Sequence, residues 1–183
     1  MKENLILIGF MGAGKTCVGE CYADRYGWPL VDTDHLIEEM AGMTISDIFA
    51  LRGEGAFRDT ETQVLDKLLR DTDRTVISVG GGLPLRAENR EKLSHLGRVV
   101  FLRAGRDEVL KRLEGDTTRP ILAGEGKAER VDRLLAQRNP IYEEAAGLIV
   151  DVDSRTPDQI VDQIVAQIAD QTVSETGKAG TEA

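Results

Sequence analysis

The chain has 183 residues, of which 41% are hydrophobic and 30% are charged, and its formal net charge is −9. This length suits one domain with a full core, and the composition is ordinary for a globular protein. The negative charge argues against a surface for nucleic acid or anionic membranes, and no apolar run is long enough to span a bilayer. We therefore expect no nucleic-acid or membrane partner.

The first predicted strand, residues 5–8, is followed by G-F-M-G-A-G-K-T from Gly9 to Thr16. These letters fill every fixed position of the phosphate-binding pattern G-x-x-x-x-G-K-[ST]. Glycines let backbone N–H groups surround an anion, and the positive end of the following helix points at the same anion. Lys15 would add a cation for the outer phosphates, and the Thr16 hydroxyl can ligate Mg²⁺. The loop therefore predicts a Mg²⁺-bound nucleotide.

Cys17 and Cys21 lie on the helix that follows this loop. They lack the further cysteines of a disulfide framework and the partner ligands of a metal site. We expect two free thiols in a reducing cytosol. No targeting segment is evident, which also indicates a cytoplasmic protein.

The second predicted strand, residues 29–31, leads into Asp32, Thr33 and Asp34. Phosphoryl transfer needs Mg²⁺ and a group that orients the attacking hydroxyl. The third predicted strand contains no acid, so Asp32 is our candidate for the metal, acting through water. Asp34 could accept the proton of the acceptor hydroxyl. The alternative is a solvated acidic turn that caps the next helix.

The segment from Gly53 to Arg58 opens a helix. Arg58 lies beside its apolar stripe, and Glu61, three residues on, can pair with it. A guanidinium held by an acid suits recognition of a carboxylate, but the spacing fits an ordinary surface ion pair equally.

Three further features follow along the chain. Gly80, Gly81 and Gly82 end the third strand, either because a ligand approaches bare backbone or because the chain turns tightly there. Residues 114–126 have the composition of a mobile lid, and Arg119 in it could neutralise charge during phosphoryl transfer. Arg138 is placed near the end of the next helix, where an arginine is commonly a dipole partner.

Short apolar runs alternate with helical periodicity, which predicts a three-layer, doubly wound parallel α/β sheet with ligands at the carboxyl ends of its strands. We expect one domain over residues 1–171 and a disordered tail over 172–183. Thr44 with Asp47, and Thr156 with Pro157, are typical of helix starts. The predicted strands are 5–8, 29–31, 76–79, 99–102 and 148–152, and the helices include 36–40, 45–51, 57–69, 87–96, 108–113, 131–137 and one after Thr156.

In their order, these motifs closely resemble the shikimate kinase family from Leu5 to about Ile168. The residues that carry the resemblance are the phosphate loop, Asp32-Thr33-Asp34, the G-E-x-x-F-R ending at Arg58, Gly80-Gly81-Gly82, Asn89-Arg90, Arg119-Pro120-Ile121-Leu122 and the R-x-P-x-Y from Arg138 to Tyr142.

The resemblance implies a P-loop kinase fold with strand order 2-3-1-4-5 and transfer of the ATP γ-phosphate to the 3-hydroxyl of shikimate. It implies that Arg58 and Arg138 take the carboxylate of shikimate. We also expect a monomer. The implied catalytic residues are Lys15, Asp34 and Arg119; the acceptor would contact Asp34, Arg58, Gly80, Gly81 and Arg138; ATP would contact Gly12, Ala13, Gly14, Lys15, Thr16, Cys17, Arg119 and Arg155; and Mg²⁺ would lie near Thr16 and Asp32.

The chain departs from the family pattern at several positions. Cys17 stands where threonine is usual, which removes a hydroxyl but keeps the backbone N–H, and Thr118 stands where lysine is frequent. Two alternatives are a related sugar-acid kinase, such as one for gluconate, and a non-enzymatic nucleotide-binding switch. The first typically has a histidine–proline step where this chain has His35-Leu36, and a guanine-binding switch would carry N-K-x-D, which is absent.

Overall fold

The computed structural model describes residues 2–114 and 126–179. Its centre is a five-stranded parallel sheet in the order β2-β3-β1-β4-β5. Both the predicted fold class and the strand order are confirmed. The strands are β1 Asn4–Ile8, β2 Leu30–Asp32, β3 Val76–Ser78, β4 Gly97–Arg103 and β5 Leu148–Asp151.

Helices form a layer on each side of this sheet. Helices α1 and α7 contact each other, and α3, α4 and α6 form the other group of neighbours. A short 3₁₀ turn, Leu83–Leu85, precedes α4. The helices are α1 Lys15–Tyr26, α2 Thr33–Ala41, α3 Ile45–Asp71, α4 Ala87–Leu96, α5 Arg106–Arg112, α6 Lys127–Ala145 and α7 Pro157–Ala179.

The central strand β1 is buried over its whole length. Its continuous apolar run fits a parallel strand that is covered on both faces. Leu7 pairs with Ser78 of β3 and with Val100 of β4, and Asp32 of β2 also pairs with Ser78. This register brings the segments after β1, β2 and β3 to one edge of the sheet, as the sequence predicts.

The two predicted helices, 45–51 and 57–69, are confirmed as the two parts of α3, which meet at a kink. The helix is interrupted at Gly53, whose φ of 79° and ψ of 171° are not helical. This break falls in the polar, glycine-containing stretch that separates the two apolar patterns in the sequence. The predicted helix starts are confirmed, since Asp47 N donates to Thr44 Oγ1 at 3.1 Å and Gln159 N donates to Thr156 Oγ1 at 3.3 Å.

The last two helices are longer than their sequence patterns. Helix α6 continues through Pro140 to Ala145, although proline lacks the N–H of a regular helical bond. Helix α7 continues to Ala179, so it includes part of the tail that the sequence predicts to be disordered beyond residue 171. One contact in this extension is a hydrogen bond of 2.9 Å from Thr172 Oγ1 to Ile168 O.

The predicted lid over 114–126 lies almost entirely outside the described residues, as do residues 180–183 of the predicted tail. Within the described ranges, no helix combines the length and the apolar character needed to cross a membrane.

Candidate active site

The loop between β1 and α1 has the backbone of an anion-binding turn. Gly9, Gly12 and Gly14 have φ angles of 147°, 78° and 91°. A Cβ at Gly9 would lie 2.6 Å from Leu102 O, so β4 leaves no room for a side chain there. Positive φ at these positions requires glycine and turns successive N–H groups toward one point.

Lys15 begins α1, and its ammonium folds back over the loop. Its Nζ donates to Gly9 O at 3.0 Å and to Phe10 O at 3.1 Å. Thr16 and Cys17 follow in the first turn, and both are exposed. A cleft of about 220 Å³ brings this loop together with predicted metal and acceptor residues: its lining includes Gly12, Gly14, Lys15, Thr16, Cys17, Asp32, Asp34, Gly80 and Gly81.

Asp32 caps helix α2, because its Oδ1 accepts a hydrogen bond from Asp34 N at 2.9 Å. The capping alternative is therefore correct for Asp32. Capping does not exclude a metal role, since the same carboxylate also lines the cleft beside Thr16. The carboxylate of Asp34 lies directly against Gly80, where a Cβ would be 2.4 Å from Asp34 Oδ1.

Thr33 supports the site structurally, and the sequence did not reveal this position. The residue is fully buried, and its Oγ1 accepts a hydrogen bond from Gly80 N at 2.9 Å. This bond joins the acidic turn after β2 to the glycines after β3. The available signal in the sequence was a hydroxyl residue between two acids at a strand end. Its role becomes evident only from the hydrogen bond with Gly80, which is distant in the chain.

The three glycines after β3 are crowded by three different parts of the chain. Besides the contact with Asp34 at Gly80, a Cβ at Gly81 would lie 3.4 Å from Gly9 O. A Cβ at Gly82 would lie 2.1 Å from Nη1 of Arg58. The glycines therefore allow the phosphate loop, Asp34 and Arg58 to converge on bare backbone.

Tyr142 holds this turn from behind, a role not recognised in the sequence although the residue belongs to one of its motifs. Its hydroxyl donates to Gly81 O at 2.5 Å, and its ring lies 5.2 Å from that of Phe101. Burial raises the pKa of Tyr142, so the hydroxyl keeps its proton and remains a donor.

Arg58 is held by two carboxylates of its own helix. Nη1 donates to Glu61 Oε2 at 2.8 Å, and Nη2 donates to Glu54 Oε1 at 3.0 Å. The surface-pair alternative is wrong for the bond to Glu61, because that side chain is only 1% exposed. The contact with Glu54 was not anticipated.

The buried carboxyl of Glu61 is electrostatically unusual. Burial raises its pKa to about 7, and the Arg58 guanidinium offsets part of that rise. Since Glu61 is fixed by packing and pairs with Nη1, it anchors the guanidinium that the sequence assigns to the acceptor.

Arg138 is a mid-helix residue, because α6 continues for seven positions beyond it. The expectation that it ends its helix is therefore wrong. It is 8% exposed, and its Cζ lies 5.7 Å from the centroid of the Phe10 ring. A buried guanidinium is thus packed against a side chain of the phosphate loop.

Asn89 and Arg90 support the chain that follows the three glycines. Asn89 is fully buried, donates from Nδ2 to Leu83 O at 2.9 Å and accepts from Thr62 Oγ1 at 2.8 Å. Arg90 donates to Pro84 O at 3.1 Å. This motif is structural: it fixes the 3₁₀ turn to α3 and α4.

Arg112 braces the outer side of the phosphate loop. Its Nη1 donates to Gly12 O at 3.2 Å, and its Nε donates to Glu108 at 2.7 Å. Arg155 lies in the loop between β5 and α7, where its Nη1 donates to Gln163 Oε1 at 2.6 Å. Arg119, the predicted catalytic residue of the lid, lies outside the described residues.

In the part of the chain that the structure describes, no group of three or more His, Cys, Asp or Glu side chains could hold a metal ion by itself. A metal here would need oxygen ligands from the nucleotide and from water besides those of the protein. Mg²⁺ characteristically accepts such a mixed shell.

Comparisons with known proteins agree with this geometry. The family model for shikimate kinase matches residues 11–169. A shikimate kinase of Thermodesulfovibrio yellowstonii is 42% identical over 89% of this chain and 93% of its own length, and one of Symbiobacterium thermophilum is 42% identical over 88% and 94%. The solved structure of an Acinetobacter baumannii shikimate kinase in complex with shikimate matches with a TM-score of 0.87 and 36% identity, over 93% of this chain and 95% of that one.

A gluconokinase of Sinorhizobium meliloti also matches, with a TM-score of 0.56 and 18% identity, over 99% of this chain and 98% of that one. At this identity the likeness shows a shared fold alone.

Proposed function

The chain belongs to the shikimate kinase family, and on that premise we propose that it transfers the γ-phosphate of ATP to the 3-hydroxyl of shikimate. The products are shikimate 3-phosphate and ADP. The observation that carries the proposal is the convergence of the phosphate loop, Asp34 and Arg58 on the turn from Gly80 to Gly82. That arrangement supports a polyphosphate site next to a carboxylate site.

In this proposal the acceptor lies across the three-glycine turn. Arg58 and Arg138 bind its carboxylate, and Asp34 binds its ring hydroxyls. The backbone of Gly80 and Gly81 lies against the ring, because no side chain intervenes. The support is that Arg58 is fixed by a buried acid and Arg138 is itself buried, so neither guanidinium must be ordered when the acceptor binds.

The nucleotide occupies the loop between β1 and α1. Backbone N–H groups of Gly12, Ala13, Gly14, Thr16 and Cys17 bind its phosphates, and the dipole of α1 favours the same charge. Lys15 leaves its carbonyl partners for the outer phosphates. Arg155 contacts the adenine end from the loop before α7.

Phosphoryl transfer then needs little covalent help from the protein. The acceptor oxygen bonds to the γ-phosphorus as the bond from that phosphorus to the β,γ-bridging oxygen breaks. Asp34 accepts a hydrogen bond from the reacting hydroxyl, aims its oxygen and takes its proton as the new bond forms. Lys15 and Arg119 balance the charge on the moving phosphoryl group, and the role of Arg119 rests on the family resemblance alone.

Mg²⁺ fits the oxygen donors present at this site. Thr16 and Asp32 line one cleft, and together they offer a hydroxyl and a carboxylate. We propose that Thr16 ligates the ion directly and that Asp32 does so through water. When bound, the ion neutralises charge on the β- and γ-phosphates.

We also propose that this is a single kinase domain acting as a monomer. Its described core surrounds one sheet, and the phosphate loop, Asp34 and Arg58 all meet the turn at one edge of that sheet.

The test is a coupled assay of ADP release with MgATP and one of shikimate, quinate, gluconate or no acceptor. We expect rapid release with shikimate alone. Equal rates in all four reactions would reject kinase activity toward an acceptor, and a preference for gluconate would reject the proposed substrate.

A further inference from the structure

The guanidinium of Arg58 has two sides engaged by different glutamates. Nη1 donates to Glu61, whereas Nε and Nη2 both donate to Glu54 Oε1, at 3.3 and 3.0 Å. Two adjacent N–H groups that point the same way form the fork that binds a carboxylate most strongly. In the structure, therefore, Glu54 occupies a fork suited to an acceptor's carboxylate.

The two glutamates differ sharply in how firmly they are held. The side chain of Glu61 is 1% exposed and that of Glu54 is 67% exposed. Glu54 directly follows Gly53, where α3 is interrupted, and it pairs with Arg58 across four residues on the helix surface. Exposed pairs of this kind contribute little to stability, so another carboxylate can replace Glu54 at small cost. If a ligand displaced Glu61 from Arg58 instead, the buried carboxylate of Glu61 would be left without its partner.

We infer that Glu54 is an internal competitor for the acceptor's carboxylate, one that must leave Nε and Nη2 of Arg58 before the acceptor binds there. This inference rests on the proposed function, because it takes the acceptor to be shikimate. Glu54 then acts on specificity. When Glu54 leaves, Arg58 loses a bound carboxylate, and only a ligand with its own carboxylate restores that interaction. A neutral analogue does not.

The inference predicts effects of opposite sign for the same chemical change at two positions. Glu54→Gln removes a competitor and a negative charge beside the incoming anion, so it tightens shikimate binding by about two- to threefold. Glu61→Gln removes the charge that anchors Nη1, so it weakens binding. If both glutamates merely positioned Arg58, both substitutions would weaken it.

The experiment is calorimetric titration of wild type, Glu54→Gln and Glu61→Gln with shikimate and with its neutral primary amide. Asp71→Asn is the matched control, because Asp71 pairs with Lys67 across four residues of the same helix and also carries one negative charge. We expect Glu54→Gln to tighten binding of the acid, with less effect on the amide, and Asp71→Asn to change neither.

Unchanged or weaker binding of the acid by Glu54→Gln would overturn the inference, as would an equal gain for the amide or for Asp71→Asn. A wild-type protein that neither binds nor phosphorylates shikimate would reject the proposed function itself. The two failures are therefore distinguishable, since only the second appears in the unmodified protein.

Discussion

Glu61 accepts a hydrogen bond from Nη1 of Arg58 at 2.8 Å, from a position that is almost wholly buried. Burial raises the pKa of Glu61 to about 7. The acid that anchors Arg58, the arginine that we propose binds the acceptor, therefore changes its charge near neutral pH.

This raised pKa predicts a pH-dependent stability. The folded-state pKa lies above the ordinary value of 4.5, so the folded protein binds more protons than the unfolded chain between these two values. The contribution of Glu61 to the free energy of unfolding is thus present in full below about pH 4.5 and is lost as pH rises through about 7. Glu61→Gln cannot titrate. Denaturant unfolding should show wild type losing about 2 kcal/mol relative to this variant between about pH 5 and pH 8. If the difference in the free energy of unfolding between the two proteins stayed constant with pH, the raised pKa of Glu61 would be contradicted.

Lys15→Ala should reduce turnover at saturating MgATP and shikimate by about a hundredfold or more. The substitution removes the cation that would stabilise the negative charge on the phosphoryl group during transfer. The coupled ADP assay measures this, with Lys67→Ala, on the exposed face of α3, as control. A near-normal rate for Lys15→Ala would remove the residue from the mechanism.

Arg58→Lys keeps the positive charge but loses the planar fork. Shikimate affinity should fall about tenfold or more, while ATP affinity stays unchanged, because only the carboxylate uses the fork. Separate titrations with the two ligands test this. A loss of affinity for ATP alone would assign Arg58 to the nucleotide site and contradict its proposed role in acceptor binding.

Gly80→Ala should lower both kcat and shikimate affinity without unfolding the protein. The added Cβ would lie 2.4 Å from Asp34 Oδ1, so the carboxylate that we propose orients the acceptor must move. Gly147→Ala is the control, since its Cβ would meet only Val99 O, at an ordinary 3.7 Å. Equal kinetics for the two variants would show that the position of Asp34 does not matter.

Arg119→Ala should mainly lower kcat, because the proposed role of this residue is to balance charge in the transition state. The measurement is a comparison of kcat and KM for both substrates. An unaffected kcat at saturation would exclude the residue from the chemical step.

Local sequence patterns predicted most of the fold, because strands, turns and helix starts are determined by residues that are close together in the chain. The apolar run of β1 and the glycine spacing after it determine a strand and a turn within a dozen residues. What the sequence did not reveal depends on distant partners. Thr33 meets Gly80 across 47 residues, and Tyr142 meets Gly81 across 61. No periodicity encodes such contacts.

Another difference came from a residue that usually disrupts helices. Pro140 lies inside α6 and obscured a helix that continues past it. The burial of Glu61 was hidden for another reason, since an acid three residues from an arginine is typical of a solvated surface.

The turn from Gly80 to Gly82 touches the phosphate loop, Asp34 and Arg58, and Thr33 and Tyr142 fix it in place. The segment that we propose selects the acceptor therefore cannot be exchanged independently of this turn. A chimera that imports a relative's segment from residue 33 to residue 61 must also import the matching turn and its tyrosine, or the grafted carboxylate and guanidinium will meet a backbone shaped for other partners.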